Sequence, residues 1–486
     1  MIDVQTSLQE YRDIREELET AVLPLATSVD GRRFSFQTTL HGLELEAGGY
    51  VVLETAGSAR LGHVLSLELD TQEGAAPGLP AVRIRAVRGE GVLLDGERRP
   101  FHDAAVRAAA PDEVARWLER VRPARAALAV GELALAPGVS LALDAEGFGR
   151  HTFLCGQSGS GKTYALGVLL ERLLMETRLR VVILDPNSDY VRLGEIRDGG
   201  DAAARERFAA VAGSVAVRGG EGHAPLRVRF RELSPQQQAA VLRLDPLADR
   251  EEYAELAAVV ADGRHESLRD LADAERDGAR RLTLRVRNLG VEGWGVWARE
   301  EPGSVVDALD DPAVRCLVID TGSLATREEQ ALVAEAVLRG LWDRRAARRP
   351  VLLVVDEAHN VCPASPEDPL TALATEHAVR IAGEGRKFGI YMLVSTQRPQ
   401  KVHENVLSQC DNLVLMRLNS SADGDFVAER FGFAPPGLVG LATDFRLGEA
   451  LVAGKLASHP AVVRFGSRVA QEGGGDVDSG WAARRP

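Results

Sequence analysis

The sequence is poor in aromatic residues, at 5% of the chain, and has four cysteines in 486 residues. Cys155, Cys316, Cys362 and Cys410 are never two to four residues apart, which excludes the paired spacing of a zinc site. Three of them stand in or beside apolar runs and read as buried thiols of a reducing compartment. No uninterrupted apolar run is long enough to span a bilayer. The opening stretch, "MIDVQTSLQEYRDIREELE", is acidic early and lacks an apolar centre, so it does not read as a secretory signal. The expectation is a cytoplasmic protein with no membrane partner. Basic charge is in deficit as well, with a formal net charge of −13. The molecule as a whole is therefore no electrostatic attractor for nucleic acid, although a local basic groove is compatible with DNA binding.

What is present exceeds one hydrophobic core, so several domains are expected. Leu8, Tyr11, Ile14 and Leu18 recur at helical spacing, giving an N-terminal helix within 1–30. Alternating runs broken by glycines follow over 31–98 and predict a small β-barrel. Residues 99–139 read as a linker, helical over 101–125. From 140 to 465 unbroken apolar runs such as "VVILD" (181–185), "CLVID" (316–320), "VLLVVD" (351–356) and "IYMLVST" (390–396) alternate with helical segments. Such runs suit parallel strands buried on both faces of a doubly wound sheet. A helical insertion at 233–290 divides this core into 140–232 and 291–465. The Gly-rich tail, 466–486, is expected to extend away from it.

The chemistry begins at "FLCGQSGSGKT". Gly156, Gln157, Ser158, Gly159, Ser160, Gly161, Lys162 and Thr163 form a complete phosphate loop between a strand and a helix that continues with Tyr164. Glycines let backbone N–H groups wrap a phosphate, and the helix N-terminus adds partial positive charge. Lys162 is placed for the β- and γ-phosphates of ATP and Thr163 for a magnesium ion, Mg2+. In "VLLVVDEAHN", Asp356 ends a buried strand beside the phosphates and is the second magnesium candidate. Glu357 follows as the residue to polarise an attacking water. The fold class is α/β: a P-loop, RecA-like parallel sheet core with a helical insertion, plus the small barrel. Asp320, at the end of "CLVID", has no second acid after it and reads as a cap of the next segment.

Three look-alikes are set aside. "LSPQQQ" (233–238) imitates a transporter-ATPase signature, but Ser234 as N-cap and Pro235 as first helical residue account for it. "DEAH" (356–359) spells a helicase class with two tandem motor domains, yet about 90 residues follow Thr396, too few for a second such domain. An arginine needed to complete the site would then come from a neighbouring copy, which points to a ring. "GEGRKFG" (383–389) follows a helix rather than a strand and reads as a helix end with a glycine cap.

"GQSGSGKT", "LDPNSDY", "VVDEAHN", "GEGRKFGIYMLVSTQRP" and "VLSQCDNLVLMRL", in this order, resemble the HerA group of the HerA–FtsK ATPases. The likeness spans roughly 140–465, and the barrel looks like that family's N-terminal module. It implies a homo-hexameric ATPase that encloses double-stranded DNA and translocates it. Such rings often work with a nuclease of the NurA type in DNA repair, or with an effector in antiphage defence. By motif it assigns Asp356 and Glu357 as magnesium and catalytic acids and Gln397 as sensor. Arg150 and Arg386 correspond to arginines acting near or across the subunit interface. From the residues alone, Arg150 also fits a surface residue at a strand start, Arg386 a helix-end charge, and Gln397 a polar strand-end turn. Asp189 replaces the family's Glu, which leaves its role open. Basic DNA-facing residues could lie in "RVRF" (227–230), "RRLTLRVR" (280–287) or "RRAARR" (344–349), each of which also fits a solvated face. A nucleotide-regulated assembly platform for a partner enzyme and a coupling ATPase for conjugation or secretion are the competing readings.

Overall fold

The computed structural model describes residues 24–39, 44–55, 57–74, 82–95, 98–262, 268, 280–298 and 303–474. Residues 1–23, and with them most of the expected N-terminal helix, lie outside this set; within 24–30 the chain forms a strand.

Six strands close a barrel: β1 (Leu25–Ser28), β2 (Arg33–Thr39), β3 (Tyr50–Thr55), β4 (Ser58–Gly74), β5 (Val82–Leu93) and β6 (Phe101–Ala108), in the order β1-β2-β5-β4-β3-β6. Phe34, Phe36, Val51, Leu53, Val64 and Val106 fill it. Gly89 and Gly91 face these two phenylalanines, and a Cβ on either would collide with a ring. The barrel therefore continues past the expected end at 98. The helical reading of 101–125 is corrected: only α1 (Pro111–Arg120) is a helix there. The alanines of "FHDAAVRAAA" favour a helix in isolation, but pairing with β1 and β3 on both sides overrides that weak preference.

The second body is an 11-stranded sheet of order β11-β12-β10-β13-β14-β9-β15-β16-β17-β7-β8. Its strands are β7 (Ala127–Leu133), β8 (Ser140–Asp144), β9 (His151–Cys155), β10 (Arg180–Asp185), β11 (Val215–Arg218), β12 (Cys316–Asp320), β13 (Val351–Val355), β14 (Ile390–Thr396), β15 (Cys410–Met416), β16 (Glu449–Gly454) and β17 (Ala461–Phe465). From β11 to β15 every pairing is parallel; β16, β17, β7 and β8 extend the sheet antiparallel. The supposed linker 99–139 thus contributes an integral strand, β7, to this sheet.

Burial explains the unbroken apolar runs. Along β13, Leu353 and Val355 enter the core on one face while Leu352 and Val354 enter the core on the other. Every side chain of this strand is buried, as expected for a parallel strand covered by helices on both sides. The covering helices include α2 (Lys162–Glu176), α3 (Ala202–Ala212) and, in the segment 233–290, α4 (Pro235–Val241), α5 (Arg250–Asp262) and α6 (Arg280–Leu289). In α4 the hydroxyl of Ser234 accepts from Gln237 N and the Gln237 side chain accepts from Ser234 N, a reciprocal cap with Pro235 at the first turn.

The tail does not leave the core at 466. Arg468, Val469 and Ala470 are buried, and the Glu171 carboxylate on α2 accepts from Arg468 Nε and from the N–H groups of Val469 and Ala470. A buried carboxylate needs several donors, and the segment 468–470 supplies them. Residues 475–486 lie outside the described set.

Candidate nucleotide site

β9 delivers the chain to the sheet's C-terminal edge at Cys155, and the phosphate loop turns there into α2. Gly159 and Gly161 take positive φ, 74° and 92°, which an L side chain rarely adopts. Gly156 is required for a different reason: a Cβ there would sit 2.7 Å from both Met416 Cβ and Ser160 Oγ. The loop leaves polar atoms in hand. Ser160 Oγ and the Gln157 side-chain oxygen are buried without a hydrogen-bond partner among the described residues. Such groups are costly unless a ligand or water completes them.

Lys162 is nearly buried and is the hub. Its Nζ lies 2.8 Å from Asp356 Oδ1, 3.0 Å from Glu357 Oε1 and 3.2 Å from Ser395 Oγ. Burial works against its charge, but the two carboxylates outweigh it and raise its pKa. Three parallel strands thus aim at one point: β9 through its loop, β13 through Asp356 and Glu357, and β14 through Ser395. Glu357 reaches it by an unusual backbone. Its φ is 45°, left-handed for a non-glycine residue, a strain on the order of 1 kcal/mol or more. In this conformation Glu357 is buried, with its carboxylate against Lys162. His359 stands behind it, with Nδ1 3.3 Å from Glu357 Oε2 and 3.0 Å from Thr396 Oγ1.

Thr163 donates its hydroxyl to Asp189 Oδ2 at 3.2 Å. The aspartate that departs from the family pattern therefore reaches the loop's threonine despite its shorter side chain. Asp185 makes this possible: its carboxylate accepts from the N–H groups of Asn187, Asp189 and Tyr190, folding the loop that presents Asp189. Burial raises the Asp185 pKa to about 7 against those hydrogen bonds. Asp189 is also raised, by burial and by the charge of Asp356. Tyr190, fully buried, places its hydroxyl 3.5 Å from Asp356 Oδ2. Tyr164 faces the other way and accepts from Arg468 N at 2.9 Å.

The remaining candidates lie elsewhere. Gln397 follows β14 directly and is exposed. Arg150 precedes β9 and Arg386 precedes β14, so both stand at the N-terminal edge of the sheet. Five residues of β9 separate Arg150 from the phosphate-loop edge, about 16 Å at ~3.3 Å per residue. There Asp411 Oδ2 accepts from Arg386 at 2.8 Å and from Arg150 at 3.2 Å. Asp411 sits where the β15–β9 register slips between Cys410 and Asn412, a bulge that re-aims its side chain.

Asp320 accepts from Ser188 Oγ at 2.8 Å and makes no side-chain cap, so the capping role expected for it is corrected. The short helical turn 385–388 is ended by Gly389 at φ 81°, as the glycine cap requires. Among the basic stretches, Arg227 is tied to Gly295 O, Arg229 to Glu232 and Asp307, Arg281 to Glu251, Arg285 to Asp249, and Arg344 to Asp310. Each of these arginines is thus held by a partner within the chain. Sequence reasoning missed Ser395 as the partner of Lys162, and His359 and Tyr190 as neighbours of the acids. The only available signal was their place close to strand ends.

Among the described residues no helix is long and apolar enough to cross a membrane. Residues 128–279 match the family model described as the central domain of helicase HerA. The DNA double-strand break repair helicase HerA of Pyrococcus furiosus is 23% identical over 403 residues, 69% of each chain. The protein of the same name from Saccharolobus solfataricus is 31% identical over 156 residues, 30% of each chain. The solved bacterial conjugative coupling protein TrwBdeltaN70 superposes with a TM-score of 0.47 at 16% identity, over 74% of this chain and 92% of that one.

Proposed function

We propose that the chain is a P-loop ATPase of the HerA type and that it works as a ring of six copies that moves double-stranded DNA by hydrolysing ATP. The observation that carries the proposal is the position of Arg150 and Arg386. Both are held on Asp411 at the sheet edge opposite their own phosphate loop, so any part they take in hydrolysis is at a neighbour's site. The likeness to DNA double-strand break repair helicases supports DNA as the substrate. A separately encoded nuclease or effector working with the ring belongs to the same proposal.

In the site, Lys162 and the backbone of Gly156–Thr163 bind the phosphates, and Ser160 and Gln157 have unpartnered polar atoms in that loop, counted among the described residues. Glu357, oriented by its left-handed backbone and by His359, accepts a hydrogen bond from the attacking water and polarises it. Gln397, just past Thr396, is assigned to sensing the terminal phosphate. Thr163 and Asp356 supply hard oxygen donors suited to magnesium, with Asp189 next to Thr163. When bound, such an ion neutralises charge on the phosphate oxygens. A neighbour's arginine then stabilises the charge of the transferring phosphoryl group.

The test is ATP turnover of the full chain with and without duplex DNA, alongside its mass in solution. Turnover that rises with duplex DNA in a six-copy particle is expected. An intact ring that hydrolyses ATP and responds to no DNA would overturn the motor and favour an assembly platform.

A further inference from the structure

We propose that the turn between Arg446 and Glu449, with Leu447 at its tip, is the shelf on which the adenine base of ATP lies. The inference rests on the ATP site described above and adds the part of the nucleotide that no phosphate-loop residue reads.

The order of strands gives the direction. Asp356, Glu357 and Ser395, which surround Lys162, belong to the ends of β13 and β14, on one flank of β9. The terminal phosphate therefore lies on that flank. The rest of the nucleotide must leave toward the opposite flank, where β15 and β16 stand. β16 runs antiparallel to β15, Met416 pairing with Ala450, so it starts at the edge that carries the phosphate loop. The turn that feeds β16 is consequently beside the loop.

Contacts bear out the adjacency of turn and loop. Gly448 N donates to Ser160 O at 3.1 Å, and Leu447 Cδ1 lies 3.4 Å from where a Cβ on Gly161 would stand. Leu447 is nevertheless 68% exposed. A large apolar side chain beside a phosphate loop, with most of its surface open, has a hydrophobic face to offer a purine. The turn is also rigid. Glu449 is buried and accepts from Arg446 N at 2.9 Å and from Arg464 at 2.7 Å, while Phe465 N donates to Gly448 O at 2.9 Å. A preorganised shelf costs little ordering when the base arrives.

The experiment compares Leu447→Ser and Leu447→Met with the unmodified full chain by calorimetric titration of ATP and of inorganic tripolyphosphate, which has no base. Leu447→Ser is expected to weaken ATP binding about five- to tenfold, the worth of a lost apolar face. Tripolyphosphate binding should stay unchanged, and Leu447→Met should bind ATP as the unmodified protein does. Unchanged ATP affinity in Leu447→Ser, or an equal loss for both ligands, would overturn the shelf. Failure of the unmodified chain to bind tripolyphosphate would instead bring down the phosphate site, and the shelf with it.

Discussion

Arg386 donates to Asp411 across 2.8 Å at the sheet edge remote from the phosphate loop, and Arg150 shares the same carboxylate oxygen. One bulged residue thereby gathers two guanidinium groups from segments that lead into different strands. If those arginines serve a neighbouring copy, each chain is both donor and recipient, and the two roles can be separated by mutation. Lys162→Ala destroys the recipient's loop but leaves the arginines; Arg386→Ala does the reverse. Each variant alone should lose on the order of a hundredfold or more in turnover. An equimolar mixture should recover activity well above the sum of the two, because some interfaces then pair an intact loop with an intact arginine. Strictly additive activity in mixed rings would refute action across the interface.

Asp411 can be tested on the same footing. Asp411→Ala frees both arginines from a common anchor without touching the phosphate loop. Turnover should fall while the affinity for ATP holds, and Asp411→Asn, which keeps one acceptor oxygen, should retain more turnover than the alanine variant. A loss of ATP affinity as large as the loss of turnover would mean that the bulge supports the fold rather than the arginines.

His359 lies 3.3 Å from Glu357 Oε2 and is bound to Thr396 Oγ1. Both contacts lie at the ends of β13 and β14, so its effect should pass through the orientation of Glu357. His359→Ala is expected to lower kcat about tenfold or more with little change in KM, the pattern of an interaction that matters to the reacting water. Glu357→Gln should bind ATP and hydrolyse it far more slowly. Steady-state kinetics of the two variants and the double variant check this: the double should be no worse than Glu357→Gln alone.

The Glu171–Arg468 pair is wholly buried, with both side chains at 0% exposure. Breaking one side of such a pair leaves an uncompensated charge and costs about 3–5 kcal/mol. Glu171→Ala should therefore lower the unfolding midpoint strongly. Gly167→Ala should do so by another route, since its Cβ would stand 2.4 Å from the Arg468 guanidinium carbon. Denaturant titration of both variants, read by fluorescence, checks the prediction. A Glu171→Ala protein as stable as the parent would show that 468–470 do not secure α2.

The β-branched and aliphatic runs at β10, β12, β13 and β14 were legible because both faces of these strands are buried, so no periodicity was needed to see them. The phosphate loop was legible because its chemistry tolerates so few residues. Phe101–Ala108 was not, since an alanine-rich stretch becomes a strand only when β1 and β3 are already beside it. The tail misled for a similar reason. Its glycine-rich composition describes what the segment prefers alone, whereas Arg468 is held by a carboxylate 297 positions earlier in the chain. Arg150, Arg386 and Asp411 illustrate the limit most clearly. The first two could be singled out by motif, but their meeting on Asp411 depends on a register slip that no local pattern announces.

Acidity offers a separate handle on how barrel and core stay joined. Tyr50 and His63 come from the barrel, Trp117 from α1 and His459 from the turn before β17, and their rings pack together, the two imidazoles 5.3 Å apart. His63 Nε2 donates to Gly48 O, and its Nδ1 is buried without a partner among the described residues. Burial lowers the His63 pKa to about 4 and that of His459 well below its usual value, with His63 adding to the latter. Both folded values lie below the unfolded one, about 6.5. Their contribution to stability is therefore complete above about pH 6.5 and is lost as pH falls, for His63 toward about 4, with a slope approaching about 1.4 kcal/mol per pH unit for each histidine. Asp185 acts with the opposite sign, since its pKa is raised to about 7 and protonation favours its folded form. The informative quantity is thus the difference between the parent and His63→Gln. Thermal unfolding from about pH 7.5 to about pH 4.5 should show a shallower acid loss in the variant, and parallel curves would mean that the histidine cluster does not titrate on unfolding.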